Sequence, residues 1–221
     1  MMCYNWTMFK FIDHQIPQCE QINTPNGRLY KTPDGNNYPS VTTVLGSIKQ
    51  PYLLEWVEKV GSETAKQISD KAAKRGTKLH ENCEKYLLGL SPAKDPFNLD
   101  VWEMYQNIIP ELNKFEVIHA LETRLWSDKL KSAGTVDCIA EINGKLTIVD
   151  FKTSSRPKQR EDIPNYFMQC AAYSVAWYER TNMLADSCRV IITTQDDGVW
   201  VYDEPIKSWV SEYIKVRNNY V

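Results

Sequence analysis

Gly134-Thr-Val-Asp-Cys-Ile-Ala-Glu-Ile-Asn-Gly-Lys-Leu-Thr-Ile-Val-Asp-Phe-Lys-Thr153 is the stretch that decides the fold. At its centre stands Asn143-Gly144, the strongest short hairpin signal, because a type I′ turn needs positive φ at both central residues. The flanks, Thr135 to Ile142 and Lys145 to Phe151, are rich in β-branched residues and read as strands. If Ile142 faces Lys145, then Ile139 faces Ile148 and Asp137 faces Asp150. Residues directly opposite on one face have Cβ atoms about 4.5–5.5 Å apart. Lys152, two residues beyond Asp150, points to the same face. Two carboxylates so placed repel each other and destabilise a sheet unless something neutralises them. A divalent cation held by oxygen ligands does so: Mg²⁺ takes one or two protein carboxylates, keeps several waters and binds substrate phosphate. A bulge near Cys138 would shift this register.

Outward from the hairpin, Val117 to Trp126 reads as a preceding strand, Pro164 opens a helix to about Glu179, and Arg189 to Thr194 and Val199 to Tyr202 are strands around Asp196-Asp197-Gly198. Pro205 begins a closing helix with Ile206, Trp209, Val210, Tyr213 and Ile214 inward. Upstream, Pro33-Asp34-Gly35 between Leu29-Tyr30 and Tyr38 suggests a small hairpin, and Ser40 reads as the N-cap of a helix from Val41 to Leu45. Pro51 starts a helix toward Val60. Ser62 caps a longer one with Ile68, Ala72, Leu79, Cys83 and Leu87 on one face, and Leu99, Trp102, Tyr105, Ile109 and Leu112 mark another. The expectation is an α/β domain: a mixed central β-sheet flanked by helices, with a mostly helical cap over 1–115 and the sheet and its helices over 116–221, all in a single domain.

The 221 residues carry 43% hydrophobic and 24% charged side chains, enough for one core and unlike collagen, coiled coil or a disordered chain. The longest apolar runs, such as Val190-Ile191-Ile192, are far below the ~18 residues a membrane span needs. The first 30 residues show neither a secretory nor a mitochondrial address, which places the chain in a cytoplasm. The six cysteines are too far apart for a Cys-x-x-Cys zinc pair and read as free, packed thiols. A net charge of −2 excludes coating of nucleic acid by bulk positive charge, leaving two local basic patches: Lys71, Lys74, Arg75 and Lys78 before His80, and Lys152, Arg156, Lys158 and Arg160 after Phe151.

Asp137 followed by Asp150-Phe151-Lys152 resembles the Asp…(Asp/Glu)-x-Lys signature of the PD-(D/E)xK nuclease superfamily. Gln169-Cys-Ala-Ala-Tyr173 resembles the Gln-x-x-x-Tyr helix of its RecB-like exonuclease branch, and Gly76-Thr-Lys-Leu-His80 that branch's Gly-x-x-x-His. With Tyr38-Pro-Ser-Val-Thr-Thr-Val-Leu45 and Ala120-Leu-Glu122, the likeness runs from about residue 38 to 178 and is nearest to mitochondrial genome maintenance exonucleases and related phage exonucleases. The resemblance implies a restriction-endonuclease-like core and a metal-dependent DNA exonuclease acting from ends, with single-stranded DNA as partner. It implies a monomer with no membrane, from a bacterial or phage-infected cell. One or two Mg²⁺ or Mn²⁺ ions would be held by His80, Asp137, Asp150 and the Phe151 carbonyl, with Lys152 completing the catalytic set. Glu122, Gln169 and Tyr173 would support them. Ser40, Thr42, Lys74, Arg75, Lys78, Thr153, Ser154, Arg156 and Lys158 are the implied DNA contacts. No iron-sulfur cluster is expected, since Cys3, Cys19 and Cys188 are not clustered. An endonuclease, or a non-catalytic DNA-binding protein on the same scaffold, stays open. So do plainer roles: a packed His80, a buried Gln169–Tyr173 pair sharing one helix face, a salt-bridged Glu122, and structural roles for His14 and His119.

Overall fold

The computed structural model describes residues 9–48, 51–96, 98–196 and 198–220, the side chains of 51–53 excepted. Cys3, Asp197 and the side chain of Tyr52 lie outside the described residues. The hairpin is built as expected. Asn143 and Gly144 have φ of 52° and 67°, and strands β6 (Ser132–Ile142) and β7 (Lys145–Ser154) pair from Ile142↔Lys145 to Cys138↔Val149.

The pairing then ends one step before the aspartates. β7 pairs in parallel with β8 (Ser187–Thr194), setting Asp150 beside Val190 and Lys152 beside Ile192, while β6 runs on beside β5 (Phe115–Ser127) as far as Ser127↔Ser132. Asp137 and Asp150 are therefore not a ladder pair. The Asp137 carboxylate takes the Phe151 N–H in place of a backbone carbonyl, and the two strands fork at the open end of the hairpin.

β1 (Lys10–Phe11) lies parallel to β5, and β9 (Val199–Pro205) antiparallel to β8, giving a mixed six-stranded sheet in the order β1-β5-β6-β7-β8-β9. One face carries α1 (Val41–Gly46), α5 (Pro164–Thr181) and α6 (Lys207–Asn219), which cover Ile139, Ile148, Val190 and Ile192. The other carries α3 (Ser62–Leu87) and α4 (Leu99–Leu112) over Cys138, Ala140, Val149, Phe151 and Ile191. Period-two alternation thus divides β7 between two cores: Asp150 and Lys152 share the α5 face with Ile148, and Phe151 looks toward α3.

Before α1 and α2 (Pro51–Val60) a second sheet forms from β2 (Glu20–Thr24), β3 (Gly27–Lys31) and β4 (Asn37–Pro39). Its second hairpin is the expected one, with Tyr30↔Tyr38 paired and Gly35 at φ 84°. β2 was not anticipated: Glu20-Gln-Ile-Asn-Thr24 has one aliphatic residue and no alternating apolar side. The stretch read as mostly helical therefore contains four strands.

Several local expectations are corrected. Gly61, at φ 84°, is the N-cap of α3 and Ser62 is its first residue; a positive φ suits glycine, not serine. Pro205 closes β9, and α6 starts at Lys207. Ile68, Leu99 and Ile214 are exposed, because α3 buries only its C-terminal half tightly, while α4 and α6 turn those positions outward. Ser40 caps α1 as expected, accepting the Thr43 N–H at 2.9 Å. Cys19, Cys83, Cys138, Cys170 and Cys188 are free and buried.

Candidate metal centre and nuclease site

Where β6 and β7 part, side chains from α3, β5, β6, β7 and α5 converge on one cavity of about 890 Å³. Asp137 is 7% exposed: Oδ2 accepts the Phe151 N–H at 2.8 Å, and Oδ1 lies 3.6 Å from His80 Nδ1. Glu122 reaches the same nitrogen at 3.5 Å. Glu122 lies between Leu121↔Cys138 and Thr123↔Val136, opposite Asp137, and has φ 44°. A left-handed non-glycine inside a strand costs on the order of 1–2 kcal/mol, and here it accompanies a glutamate delivered to a carboxylate cluster. His80, Glu122 and Asp137 each offer a ligand atom within 4.8 Å of the others.

His80 arrives from α3 one turn after Gly76, where the helix passes close to β7; a Cβ on Gly76 would sit 3.9 Å from Thr153 Oγ1. Its Nε2 donates to the Phe151 carbonyl at 2.8 Å, so two of the expected metal ligands bond to each other and the ring's other nitrogen faces two carboxylates. Burial opposes a charge on this ring, but Asp137 and Glu122 outweigh it and hold its pKa up at about 9. A proton on His80 thus supplies part of the positive charge that the carboxylates require.

Asp150 is 2% exposed, and its Oδ1 accepts from Lys152 Nζ at 2.5 Å and from Gln169 Nε2 at 2.7 Å. Its Oδ2 is buried with no partner among the described residues. Burial pushes this carboxyl up to about 6; Lys152 opposes the shift and Asp137 adds to it. Burial would lower the Lys152 ammonium, but Asp150 and Asp137 more than offset it and keep the group protonated. The Tyr166 ring lies 5.1 Å from Nζ and gives the ammonium an aromatic face. A buried acceptor without a donor costs about 1–3 kcal/mol, and the charges of Asp137 and His80 both act on this carboxyl. His80, Glu122 and Asp137 form a set that fits a divalent cation, and Asp150 lies outside that three-residue group.

Gln169 therefore has a definite partner, the catalytic-motif carboxylate. Tyr173, one turn later on α5, is buried and lines the same cavity against Gly134, where a Cβ would lie 2.5 Å from the phenol oxygen. Ser40 and Thr42 also line it. Lys74, Arg75, Lys78, Thr153, Ser154, Arg156 and Lys158 are not among its described lining residues; Lys78 pairs with Glu81, and the Ser154 hydroxyl accepts the Arg156 N–H. Tyr86, Trp102 and Tyr105 pack on one another within the α3–α4 core and do not reach it. His119 is buried between His14 and Glu141, away from the cavity. Sequence reading missed Gln21, Arg28 and Tyr30 from the small sheet, and Asn165 and Tyr166 from the start of α5. Only the Tyr166 spacing, three residues before Gln169 on the same helix, offered a signal.

Residues 111–204 match the family model of the PD-(D/E)XK nuclease superfamily. The fold is a PD-(D/E)XK nuclease fold. Within the matched residues lie the forked hairpin, α5 and both motif aspartates. Mitochondrial genome maintenance exonuclease 1 from Homo sapiens is 29% identical over 215 residues, covering 84% of this chain and 61% of that protein. The Mus musculus protein of that name is 26% identical over 176 residues, covering 74% of this chain and 51% of its own. The chain spans about half to three-fifths of the length of these relatives. Among solved structures, that of SSO0001 aligns over 81% of this chain and 73% of its own with a TM-score of 0.42 and 17% identity. No helix among the described residues is long and apolar enough to cross a membrane.

Proposed function

We propose that this chain is a Mg²⁺- or Mn²⁺-dependent deoxyribonuclease that shortens DNA from free ends and prefers single strands, in DNA replication, recombination or repair. The observation that carries it is the pairing of two features: a His80–Glu122–Asp137 group able to hold a cation, and an Asp150 carboxylate locked through Oδ1 by Lys152 and Gln169 with Oδ2 buried and unpartnered among the described residues. The names of the exonuclease relatives support action from ends on a genome. When bound, a divalent cation supplies Lewis acidity and neutralises charge at the phosphate.

The chain's own residues do the rest. Gln169 and Lys152 fix the Asp150 carboxylate, so it needs no reorganisation on meeting the cation. Lys152, held protonated and lining the cavity, would offset negative charge on a phosphate bound there as the water–phosphorus bond forms and the ester bond breaks. Asp137 keeps its link to the Phe151 backbone, which ties the two forked strands across the site. Tyr173 and Gly134 close the floor.

The test compares end-labelled linear single strands, duplexes and covalently closed single-stranded circles, each with and without Mg²⁺. Linear single strands are expected to shorten progressively and circles of the same sequence to survive. Rapid linearisation of circles, lost in Asp150→Ala, would move the reading to an endonuclease. Absence of any metal-dependent cleavage would leave a DNA-binding protein on a nuclease scaffold.

A further inference from the structure

Opposite the catalytic side chains, the cavity is walled by the β2–β4 sheet and α1, through Gln21, Arg28, Tyr30, Ser40 and Thr42. The acids among the described lining residues, Glu122 and Asp137, both stand on the catalytic side; the facing wall offers one cation, Arg28, among neutral polar groups and apolar residues such as Leu45 and Ile48. No carboxylate pairs with Arg28 among the described residues, whereas Arg160, Arg180 and Arg189 each have one. In a chain of net charge −2, an arginine left without a counter-ion on the rim of an active-site cavity is a free anion receptor.

Its backbone is also unusually well held for a rim residue. The Arg28 N–H donates to Thr43 Oγ1 at 3.2 Å, and its carbonyl accepts the Ser40 N–H at 2.8 Å. Gly27 before it, at φ 116°, lies so close to α1 that a Cβ would meet Thr43 at 2.6 Å. Tyr30, fully buried two residues later, places its hydroxyl 3.1 Å from Gln21 Oε1 and 3.3 Å from Thr135 Oγ1, on the strand of Asp137 and two residues from it. The hairpin that bears Arg28 is thus pinned at a set offset from the catalytic strand.

We infer that the β2–β4 face is a subsite for a second phosphate of the substrate strand, with Arg28 binding the phosphodiester that neighbours the cleaved one. This rests on the nuclease reading above and deepens it: the favoured substrate is a strand with at least two phosphates, one held for cleavage and one held by Arg28. A guanidinium grips a phosphate whatever the base, which suits an enzyme without sequence preference.

The experiment uses Arg28→Gln, whose melting temperature is expected to match the wild type because the guanidinium has no partner among the described residues. Two probes are compared: a single-stranded oligonucleotide, and bis(p-nitrophenyl) phosphate, a diester with no second phosphate. The kcat/KM preference for the oligonucleotide over the small diester is expected to fall about tenfold, through KM rather than kcat. The salt slope of oligonucleotide binding should drop by about 0.7, the share of one phosphate contact on a single strand. An unchanged preference and slope would overturn the proposal, as would an equal loss on both probes, which would put Arg28 at the cleaved phosphate. If the wild type cleaves neither probe, the nuclease reading fails. Arg28 is then scored by anisotropy of a labelled oligonucleotide in chelator, where weaker binding by Arg28→Gln supports the subsite and equal binding overturns it.

Discussion

The cavity's two walls handle charge in opposite ways. On the catalytic wall Asp137 and Asp150 are 7% and 2% exposed, and His80, Lys152, Gln169 and a backbone N–H are aimed at them. On the facing wall Arg28 and Thr42 are exposed and meet water directly. A buried charge constrains every neighbour, because each missing partner costs several kcal/mol. An exposed one constrains almost nothing. The first wall must therefore be sensitive to single-atom changes and the second tolerant of them, and each prediction probes that contrast.

The largest effect is expected from Asp150→Ala and Lys152→Ala, which should each lower cleavage by at least about 100-fold, the usual scale for losing one preorganised charge at a transition state. Folding is checked by circular dichroism. Near-normal cleavage in both variants would erase the distinction between the walls. Next, Mg²⁺ or Mn²⁺ should raise the melting temperature, with a stabilisation of about 2.7 kcal/mol at a concentration 100 times Kd. Chelator should reverse it. An undiminished shift in Asp137→Ala would mean that the ion binds away from the fork.

A glycine stands on each wall. Gly134→Ala should destabilise by about 1–3 kcal/mol in denaturant unfolding, since the new Cβ meets the buried Tyr173 and overpacks the floor. Combining it with Tyr173→Ala should recover part of the loss as a measurable coupling energy. Gly27→Ala should cost about 1 kcal/mol and act mainly on oligonucleotide KM, because its strain sits in the exposed hairpin. If Gly27→Ala proves the more damaging of the two, the facing wall is the more tightly specified.

The smallest effect is a slope. In chelator, wild-type Asp150 has its pKa raised to about 6 by burial, so its ionised form weakens the fold above that pH, and protonation relieves it as the pH falls from about 7 toward 4. Asp150→Asn has no such proton to gain. Its stability relative to wild type should therefore be highest near pH 8 and decline through that window. A flat difference would show that Lys152 and Gln169 fully compensate the buried charge.

The same contrast explains what was legible in the sequence. Asn143-Gly144 specified the turn, and with it the five pairs from Ile142↔Lys145 to Cys138↔Val149. The Asp, Asp and Lys positions, the Gly76–His80 turn and the Gln169–Tyr173 spacing were legible as motifs of a resemblance, and His80, Asp137, Lys152, Gln169 and Tyr173 line one cavity. The fork did not show, since it depends on β7 pairing with β8, over thirty residues downstream, and on a side chain replacing a ladder bond. Nor did β2 or Arg28: half-exposed polar strands leave no periodicity, and a rim arginine looks like any other until the cavity gathers around it. The basic patches at Lys74–Lys78 and Arg156–Lys158 stand close in sequence to the motifs but are not among the described residues that line the cavity.

The hydrogen bond from the Phe151 amide to Asp137 Oδ2 turns the backbone into a spectrometer for the site. Most amides in a sheet point at neutral carbonyls and stay silent when a ligand arrives. This one points at a carboxylate, so its proton chemical shift and its exchange with deuterium follow the charge on that oxygen. A ¹⁵N label on phenylalanine alone would place this reporter in a spectrum of only six backbone signals, one for each phenylalanine in the chain. Cation, phosphate and proton could then be titrated against it one at a time, in the intact protein and without turnover.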